Sequence, residues 1–236
     1  MDNTDVAALS GNRLIDALPA TERASLNAVC ERVRHARGTE IYGTNDRVSH
    51  VYFPVSGVYS ILVVMEDGKL AEGATIGNEG LVGLWSYLGI DFSIALVEAQ
   101  IAGEALRVSV SDLMRTLAAS ARLEAMLRRY VVFALRSSYQ SIGCNALHTL
   151  EQRCARWILA SQDQAGGDIL RLTHEYLSDM LGVRRQSVSV VAGALQKQGL
   201  ISNRRGVLTV LDRAGLEAMA CECYEANAAL YRSIVG

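Results

Sequence analysis

The stretch from Thr173 to Leu200 holds the side chains with the most directed chemistry in this sequence. Arg184, Arg185, Gln186, Ser187 and Ser189 gather two guanidinium groups, an amide and two hydroxyls in one short run. Arginine can grip a guanine edge with two parallel hydrogen bonds, and glutamine can do the same with adenine. A serine hydroxyl reaches a base or a phosphate. That combination at the start of a helix suits the major groove of a duplex.

The surrounding residues say how the run would be held. Thr173 can cap a helix, and Glu175 in the first turn suits the positive end of its dipole. Tyr176, Leu177, Met180 and Leu181 give that short helix one apolar face. Gly182 breaks it, and Val183 is an apolar turn residue. A second helix begins near Arg184 and ends at Gly199, a residue that takes the left-handed conformation past a helix end. Val188, Val191, Ala192 and Leu195 form its core face, leaving the polar run opposite. Leu200 and Ile201 then lead into Ser202-Asn203-Arg204-Arg205-Gly206 and a β-like Val207 to Leu211, a hairpin wing with basic residues at its tip.

Charge is concentrated here. Between Arg171 and Arg205 the basic residues Arg171, Arg184, Arg185, Lys197, Arg204 and Arg205 outnumber the acidic Glu175 and Asp179, so six minus two gives +4, within a chain of net charge −2. Backbone phosphates reward such a patch electrostatically. The site residues expected for DNA are therefore Thr173, Arg184, Arg185, Gln186, Ser187, Ser189, Arg204 and Arg205.

No other constellation offers chemistry of this kind. Walker, Rossmann and Gly-x-Ser-x-Gly patterns are missing. A metalloenzyme built on a β-barrel needs clustered His and carboxylate ligands, and residues 41–110 hold a single histidine, His50. His35, His148 and His174 are scattered. Five cysteines, Cys30, Cys144, Cys154, Cys221 and Cys223, are an odd number at irregular spacing, which reads as reduced thiols in a cytoplasmic protein. Cys221-Glu222-Cys223 lies in a helical pattern, which would turn the two thiols to different faces and give them a structural or incidental role. No catalytic and no metal site is expected.

The 236 residues are 50% hydrophobic and 20% charged, a globular composition long enough for one large or two modest domains. No apolar run approaches the ~20 residues that cross a bilayer, and the acidic start Met1-Asp2-Asn3-Thr4-Asp5 is not a secretory signal. Residues up to about Arg37 read as helical, with Leu14, Leu18, Leu26, Val29 and Val33 on one face and Thr21 as a cap. From Ile41 to Val110 short Val-, Ile- and Tyr-rich strands alternate with turns, including a Glu66-Asp67-Gly68-Lys69 hairpin in which Asp-Gly suits a tight primed turn. That texture suggests a sandwich or small barrel. Ser111-Asp112 starts a long helix running through about His148, with Leu123, Leu127, Tyr130, Val131, Ala134, Leu135, Ser138 and Ile142 on or near one stripe. The stripe alone fits a helix packed on its own barrel slightly better, while its length between two domains favours pairing with a second copy of the chain. Thr149 to about Gln164 is a further helix.

Thr173 to Ile201 resembles the helix–turn–helix of the Crp–Fnr superfamily, the relatives of the cyclic-AMP receptor protein and the fumarate–nitrate regulator. Val51-Tyr-Phe-Pro-Val-Ser-Gly-Val-Tyr-Ser is similar to that family's early β-roll hairpin, and Ile76-Gly-Asn-Glu-Gly-Leu-Val-Gly to the opening of its phosphate-binding cassette. The resemblance implies an α+β fold: an N-terminal double-stranded β-helix, or cyclic-nucleotide-binding-like β-roll, over residues 1–111; a long dimerisation helix over 112–148; and a C-terminal winged helix-turn-helix over 149–236. It implies a homodimeric transcription regulator on an inverted-repeat operator, with RNA polymerase as a further partner, and no enzyme. Arg185 then matches the guanine-reading arginine and Ser187 a phosphate-contacting hydroxyl. Gln186 replaces the usual base-reading glutamate, and Val190 falls where the cyclic-AMP receptor protein has a second arginine, so the target sequence should differ. The effector residues implied are Gly77, Glu79, Gly80 and Leu81 of the cassette, with Ser138 and Tyr139 on the long helix.

A cyclic nucleotide is not the expected effector. Its buried phosphate needs a bidentate cation, and the stretch that should supply one, Ile90-Asp-Phe-Ser-Ile-Ala-Leu-Val-Glu, contains no Arg or Lys. Asp91 and Glu98 would repel the phosphate. An unidentified small molecule is left as the ligand, with no cofactor. The competing readings are an effector-binding or protein-interaction module without DNA binding, and a cupin-like metalloenzyme.

Overall fold

The computed structural model describes residues 11–165, 167–170, 173–204 and 206–235. The start Met1 to Asp5, Arg171 and Arg205 lie outside the described residues.

The described chain opens on two short helices, α1 (Arg13–Asp16) and α2 (Ala20–Asn27). Asn12 starts α1: its Oδ1 accepts from the amides of Leu14 at 3.1 Å and Ile15 at 3.3 Å. Its Nδ2 donates to the carbonyls of Pro54 at 2.8 Å and Gly80 at 2.9 Å, which ties the N-terminus to the barrel. Pro19, not Thr21, precedes α2. The helix expected to reach Arg37 stops at Asn27, and Glu31–His35 is a strand, β1. Pairing with a neighbour decides this: Arg32 and Arg34 both reach Glu104, at 2.7 and 2.6 Å, and Arg107 reaches Glu31. Cross-strand pairs of this kind override the weak helical periodicity of a segment this short.

The roll is two antiparallel sheets. β1, β3 (His50–Pro54) and β7 (Gly103–Ser109) form one, ordered β1-β7-β3. β2 (Glu40–Tyr42), β4 (Val58–Val64), β5 (Leu70–Ile76) and β6 (Leu96–Ile101) form the other, ordered β2-β6-β4-β5. The chain passes from one sheet to the other between β6 and β7 across Ala102 alone. The β4–β5 turn is wider than the two-residue turn expected: Met65 and Lys69 still pair, and only Gly68 takes a positive φ, +79°. Aromatic rings fill the roll's interior. Tyr42 packs against Trp85 and Tyr52, with ring centroids 5.9 and 6.0 Å apart, and His35 sets its edge on Tyr52 and Tyr59. A short helix, α3 (Leu84–Tyr87), follows the Gly77–Gly80 loop.

The long helix is broken. α4 (Val110–Ala119) is capped by Ser109, and α5 (Ala121–Leu147) begins after Ser120. Ser120 has extended backbone, and its hydroxyl accepts from the Leu123 amide at 3.2 Å. A serine that can cap a new helix competes with continuing the old one. The single stripe expected on this helix divides into two faces. Leu123, Leu127 and Tyr130, with Met126, are buried against the roll and the N-terminal helices. Leu135 and Ile142 instead stand exposed with Val132 and Tyr139, at spacings of three, four and three residues.

α6 (Leu150–Ala165) starts with a reciprocal cap: Gln152 Oε1 accepts from the Thr149 amide at 3.1 Å, and Thr149 Oγ1 accepts from the Gln152 amide at 3.4 Å. The rest of the chain is β8 (Ile169–Leu170), α7 (His174–Leu181), α8 (Arg185–Lys197), β9 (Ile201–Arg204), β10 (Val207–Val210), α9 (Arg213–Met219) and α10 (Cys223–Ile234). β8, β10 and β9 form a small antiparallel sheet. This C-terminal domain shares one apolar core with the roll: Val58, Leu62 and Ile101 pack with Trp157, Leu177, Met180 and Leu181. α10 then returns across the molecule, and Tyr231 packs edge-on against Phe133 of α5 with centroids 5.1 Å apart.

Candidate nucleic-acid interface

α7 and α8 are joined by the tight turn that their punctuation predicts. Thr173 Oγ1 accepts from the Tyr176 amide at 3.2 Å, which caps α7. Gly182 ends α7 at φ +63°, in the left-handed region. Arg153 of α6 donates to the Leu181 carbonyl at 2.6 Å, satisfying a last-turn acceptor and fixing α7 to the helix beneath it.

α8 is held by its inner face. Val188, Val191 and Leu195 are buried in the shared core, and Ala192 is buried on the same helix. Its outer face is open to solvent: Arg184, Arg185, Gln186, Ser189 and Val190 are exposed, and Ser187 is half-buried. Arg184 is the residue before the first turn and Arg185 the first helical residue, so both guanidinium groups stand at the N-terminal end. Among described partners, neither appears in a salt bridge, and both project from the entry of the helix where first-turn amides also lack internal acceptors. The wing strands pair Arg204 with Val207, which puts the exposed Arg204 at the hairpin tip. Arg205, expected beside it, lies outside the described residues.

One residue at this surface was not legible in the sequence. His174 bridges three elements: its Nδ1 lies 3.0 Å from Ser189 Oγ on α8, and its Nε2 lies 2.6 Å from Asn203 Nδ2 in the wing. Gln196 Oε1 accepts from the Asn203 amide at 2.9 Å. The outer face of α8 and the wing are thus locked together by an imidazole and an amide. Partners 15 and 29 residues away leave no periodic trace.

Residues 152–219 match the Crp-like helix-turn-helix domain. The chain is 26% identical over 213 residues to the transcriptional regulatory protein btr of Bordetella pertussis, covering 86% of each. Its fold is similar to that of FixK2 from Bradyrhizobium japonicum, with a TM-score of 0.69, 21% identity, and coverage of 82% of this chain and 98% of that one. A regulator of the Crp/Fnr family from Eubacterium rectale superposes with a TM-score of 0.63 at 19% identity, over 87% of this chain and 96% of the other. Residues 152–219 thus carry a Crp-like helix-turn-helix domain, on a chain whose overall fold is similar to those of these proteins.

In a Crp–Fnr frame, the second set of expected residues is the cassette. Gly77, Glu79, Gly80 and Leu81 do come together, but on partners from this chain. Glu79 is buried; its carboxylate accepts from the Gly77 amide at 3.1 Å and from Gln164 Nε2 of α6 at 3.0 Å. Burial pushes its pKa up, against the pull of those donors and of Arg13. A side chain on Gly77 would meet Gln164 Cβ at 2.3 Å, and one on Gly80 would meet the Tyr130 hydroxyl at 2.1 Å. Leu81 is fully buried in the core beneath. Ser138 and Tyr139 are not with them. Ser138 Oγ donates to the Ala134 carbonyl within α5 at 3.0 Å, and Tyr139 is exposed on the outer stripe.

Cys221 and Cys223 depart from the expectation of divergent thiols. Cys221 precedes α10 and Cys223 is its first residue, so helical geometry does not separate them. Both are buried and turn toward the same place, beside Cys144 and His148.

Proposed function

We propose that this protein is a homodimeric, sequence-specific transcription regulator that binds an inverted-repeat operator through α8 and the wing. The single observation that carries this reading is the division of α8. Its apolar face is locked into the core, while Arg184, Arg185 and Gln186 are exposed at its entry and Arg204 is exposed at the tip of the wing. A duplex groove takes such a helix, and its phosphates reward the guanidinium groups. The family model over the same residues and the regulators among its relatives support DNA as the partner.

A twofold dimer would pair the exposed Val132, Leu135, Tyr139 and Ile142 of α5 with their copies. Two recognition helices would then meet successive major grooves about 34 Å apart. RNA polymerase is a further partner in this reading, and an enzymatic activity is no part of it. No helix among the described residues is long and apolar enough to cross a membrane, and a cytoplasmic regulator fits that.

The roll in this reading responds to a small molecule other than a cyclic nucleotide. Residues 90–98 contain no cation for a phosphate. Glu79, which could hold a ribose hydroxyl, is already engaged by Gly77 and Gln164.

The test selects duplexes from a randomised pool with the full-length protein and measures affinity against salt. An inverted repeat should be enriched, and binding should weaken steeply as salt rises. Arg185→Ala should cost about 1–3 kcal/mol on the selected site and relax preference at one position in each half-site. Enrichment of no sequence, or unchanged discrimination in Arg185→Ala, overturns the reading.

A further inference from the structure

Four donors with the chemistry of a metal centre converge where the long helix ends. Cys144 lies in the last turn of α5, and His148 is the residue that ends it. Cys221 and Cys223 arrive from the start of α10, on the far side of the C-terminal domain in sequence. The three sulfurs and a ring nitrogen of His148 all lie within 4.8 Å of one another. Cys144 Sγ and Cys221 Sγ are 3.5 Å apart, and Cys223 Sγ is 3.6 Å from His148 Nδ1. Tetrahedral bonds of about 2.3 Å to sulfur and about 2.0–2.1 Å to nitrogen require sulfur–sulfur edges of about 3.8 Å and sulfur–nitrogen edges of about 3.6 Å. The Cys144–Cys221 and Cys223–His148 edges match those values to within about 0.3 Å, and the other edges lie within 4.8 Å.

The groups around the donors suit ligation. The opposite nitrogen of His148, Nε2, lies 3.1 Å from a carboxylate oxygen of Glu222. That partner holds the Nε2–H tautomer and leaves the Nδ1 lone pair aimed at the sulfurs, the carboxylate–histidine arrangement that orients metal ligands. Gln140 Nε2 donates to Cys223 Sγ at 2.9 Å, a bond that favours a thiolate acceptor. The three cysteines are buried and form a small cluster of their own, apart from the apolar cores. Cys30 and Cys154 lie elsewhere and take no part.

The geometry points to a Cys144–His148–Cys221–Cys223 site for a soft, tetrahedral divalent cation of the zinc type, which clamps the start of α10 to the joint between α5 and α6. Binding replaces three S–H bonds with three sulfur–metal bonds and releases three protons; no electron is transferred. Three sulfurs and one imidazole close the coordination sphere, so the site is structural and keeps no position for a substrate. The joint it would fix, His148 and Thr149, connects the exposed stripe of α5 to the domain that carries α8. The metal site stands without the DNA-binding reading. Only its consequence for the orientation of α8 rests on it.

The test uses the full-length protein, reduced and freed of metal by chelation, and titrates it with cobalt(II) alone. One cobalt per chain is expected, with a thiolate-to-cobalt charge-transfer band in the near ultraviolet and intense tetrahedral ligand-field bands in the visible. One equivalent of zinc(II) should erase both. Cys30→Ser and Cys154→Ser should leave the titration unchanged, and Cys221→Ser should abolish the charge-transfer intensity of one thiolate. Glu222→Gln, at an exposed carboxylate, should weaken zinc binding about 10–100-fold. His148→Ala tests a ligand at the margin of the site, so the result does not depend on a buried cysteine variant folding. Failure to bind, an octahedral spectrum, affinity indifferent to both His148→Ala and Glu222→Gln, or a Cys144–Cys221 disulfide that forms in place of metal binding overturns the proposal. None of these readouts involves DNA, so they fail or succeed independently of the regulator assignment.

Discussion

Replacing Glu72 with glutamine should strengthen the seam between the roll and the C-terminal domain at neutral pH and leave it unchanged in acid. Glu72 sits on β5 where the C-terminal domain packs against the roll. Trp157 Nε1 of α6 donates to its Oε1 at 3.2 Å, and Ser60 Oγ of β4 donates to its Oε2 at 3.0 Å. Arg156 attracts its charge, and Tyr176 of α7 and Glu98 of β6 complete the titratable surroundings. Loss of water outweighs these donors and raises its pKa from 4.5 to about 7. The sign follows from which state holds the proton. Below pH 4.5 the carboxyl is protonated whether the seam is formed or lost, so the group costs nothing. Between 4.5 and about 7 the separated or unfolded state gives up its proton first, and the packed state loses stability as pH rises. Above about 7 both states are ionised and the loss is complete. Each pKa unit corresponds to about 1.4 kcal/mol, so the full loss is about 3 kcal/mol. Glutamine keeps an oxygen for the Trp157 N–H and removes the charge. Thermal melts of the two proteins from pH 4.5 to 8 should coincide at the acid end and diverge toward pH 8, where the variant should melt higher by about 6–12 °C, given about 2–4 °C per kcal/mol for a chain of this size. Amide exchange in β5 and α7 should slow in the variant at pH 8. Parallel melting curves at all pH values would show that Glu72 is ionised and solvated in the packed state, and would refute the reasoning.

Two more predictions concern the dimer and the turn. Ile142→Glu puts a charge at a residue that is 67% exposed in the single chain; sedimentation velocity should show monomers while the thermal midpoint of the isolated chain is retained, and an intact dimer would move the pairing surface elsewhere. Gly182→Ala places a Cβ at φ +63° with no neighbour to strike, so its cost is backbone strain alone, about 1–2 kcal/mol in a denaturant melt.

The C-terminal domain was legible because its signals are local. Thr173, Gly182 and Gly199 each act on the backbone within a few residues, and the apolar spacing of α8 is uninterrupted. The sequence misled where distant residues decide. Glu31–His35 becomes a strand because Glu104 and Arg107 lie across from it. The stripe on the long helix merged a buried face and an exposed one, since a periodicity records apolar residues without saying what covers them. Ser120 breaks that helix through a capping bond that any helical serine could forgo. The cysteine cluster was hidden most completely: its two halves are 77 residues apart at Cys144 and Cys221, and a helical reading of Cys221-Glu222-Cys223 placed the helix start two residues too early.

The contacts that hold the C-terminal domain fall into two groups with different consequences for motion. One group is the seam with the roll: Trp157 on Glu72, Gln164 on Glu79, Met180 beside Ser60, and Arg37 over the Tyr176 ring at 5.0 Å. The other is α10 against α5, with Tyr231 on Phe133 and the sulfurs of Cys221 and Cys223 beside Cys144. α8 presents its outer face in this arrangement, so the seam does not block DNA by covering the recognition residues. It fixes the direction in which they point. Any change in that direction must break these seam contacts. A ligand of the roll can drive such a change only by binding the two seam states unequally. In the proposed reading Glu79 is the group placed for that, because its carboxylate joins the cassette loop directly to Gln164. A ligand group that displaced Gln164 from Glu79 would remove one seam contact.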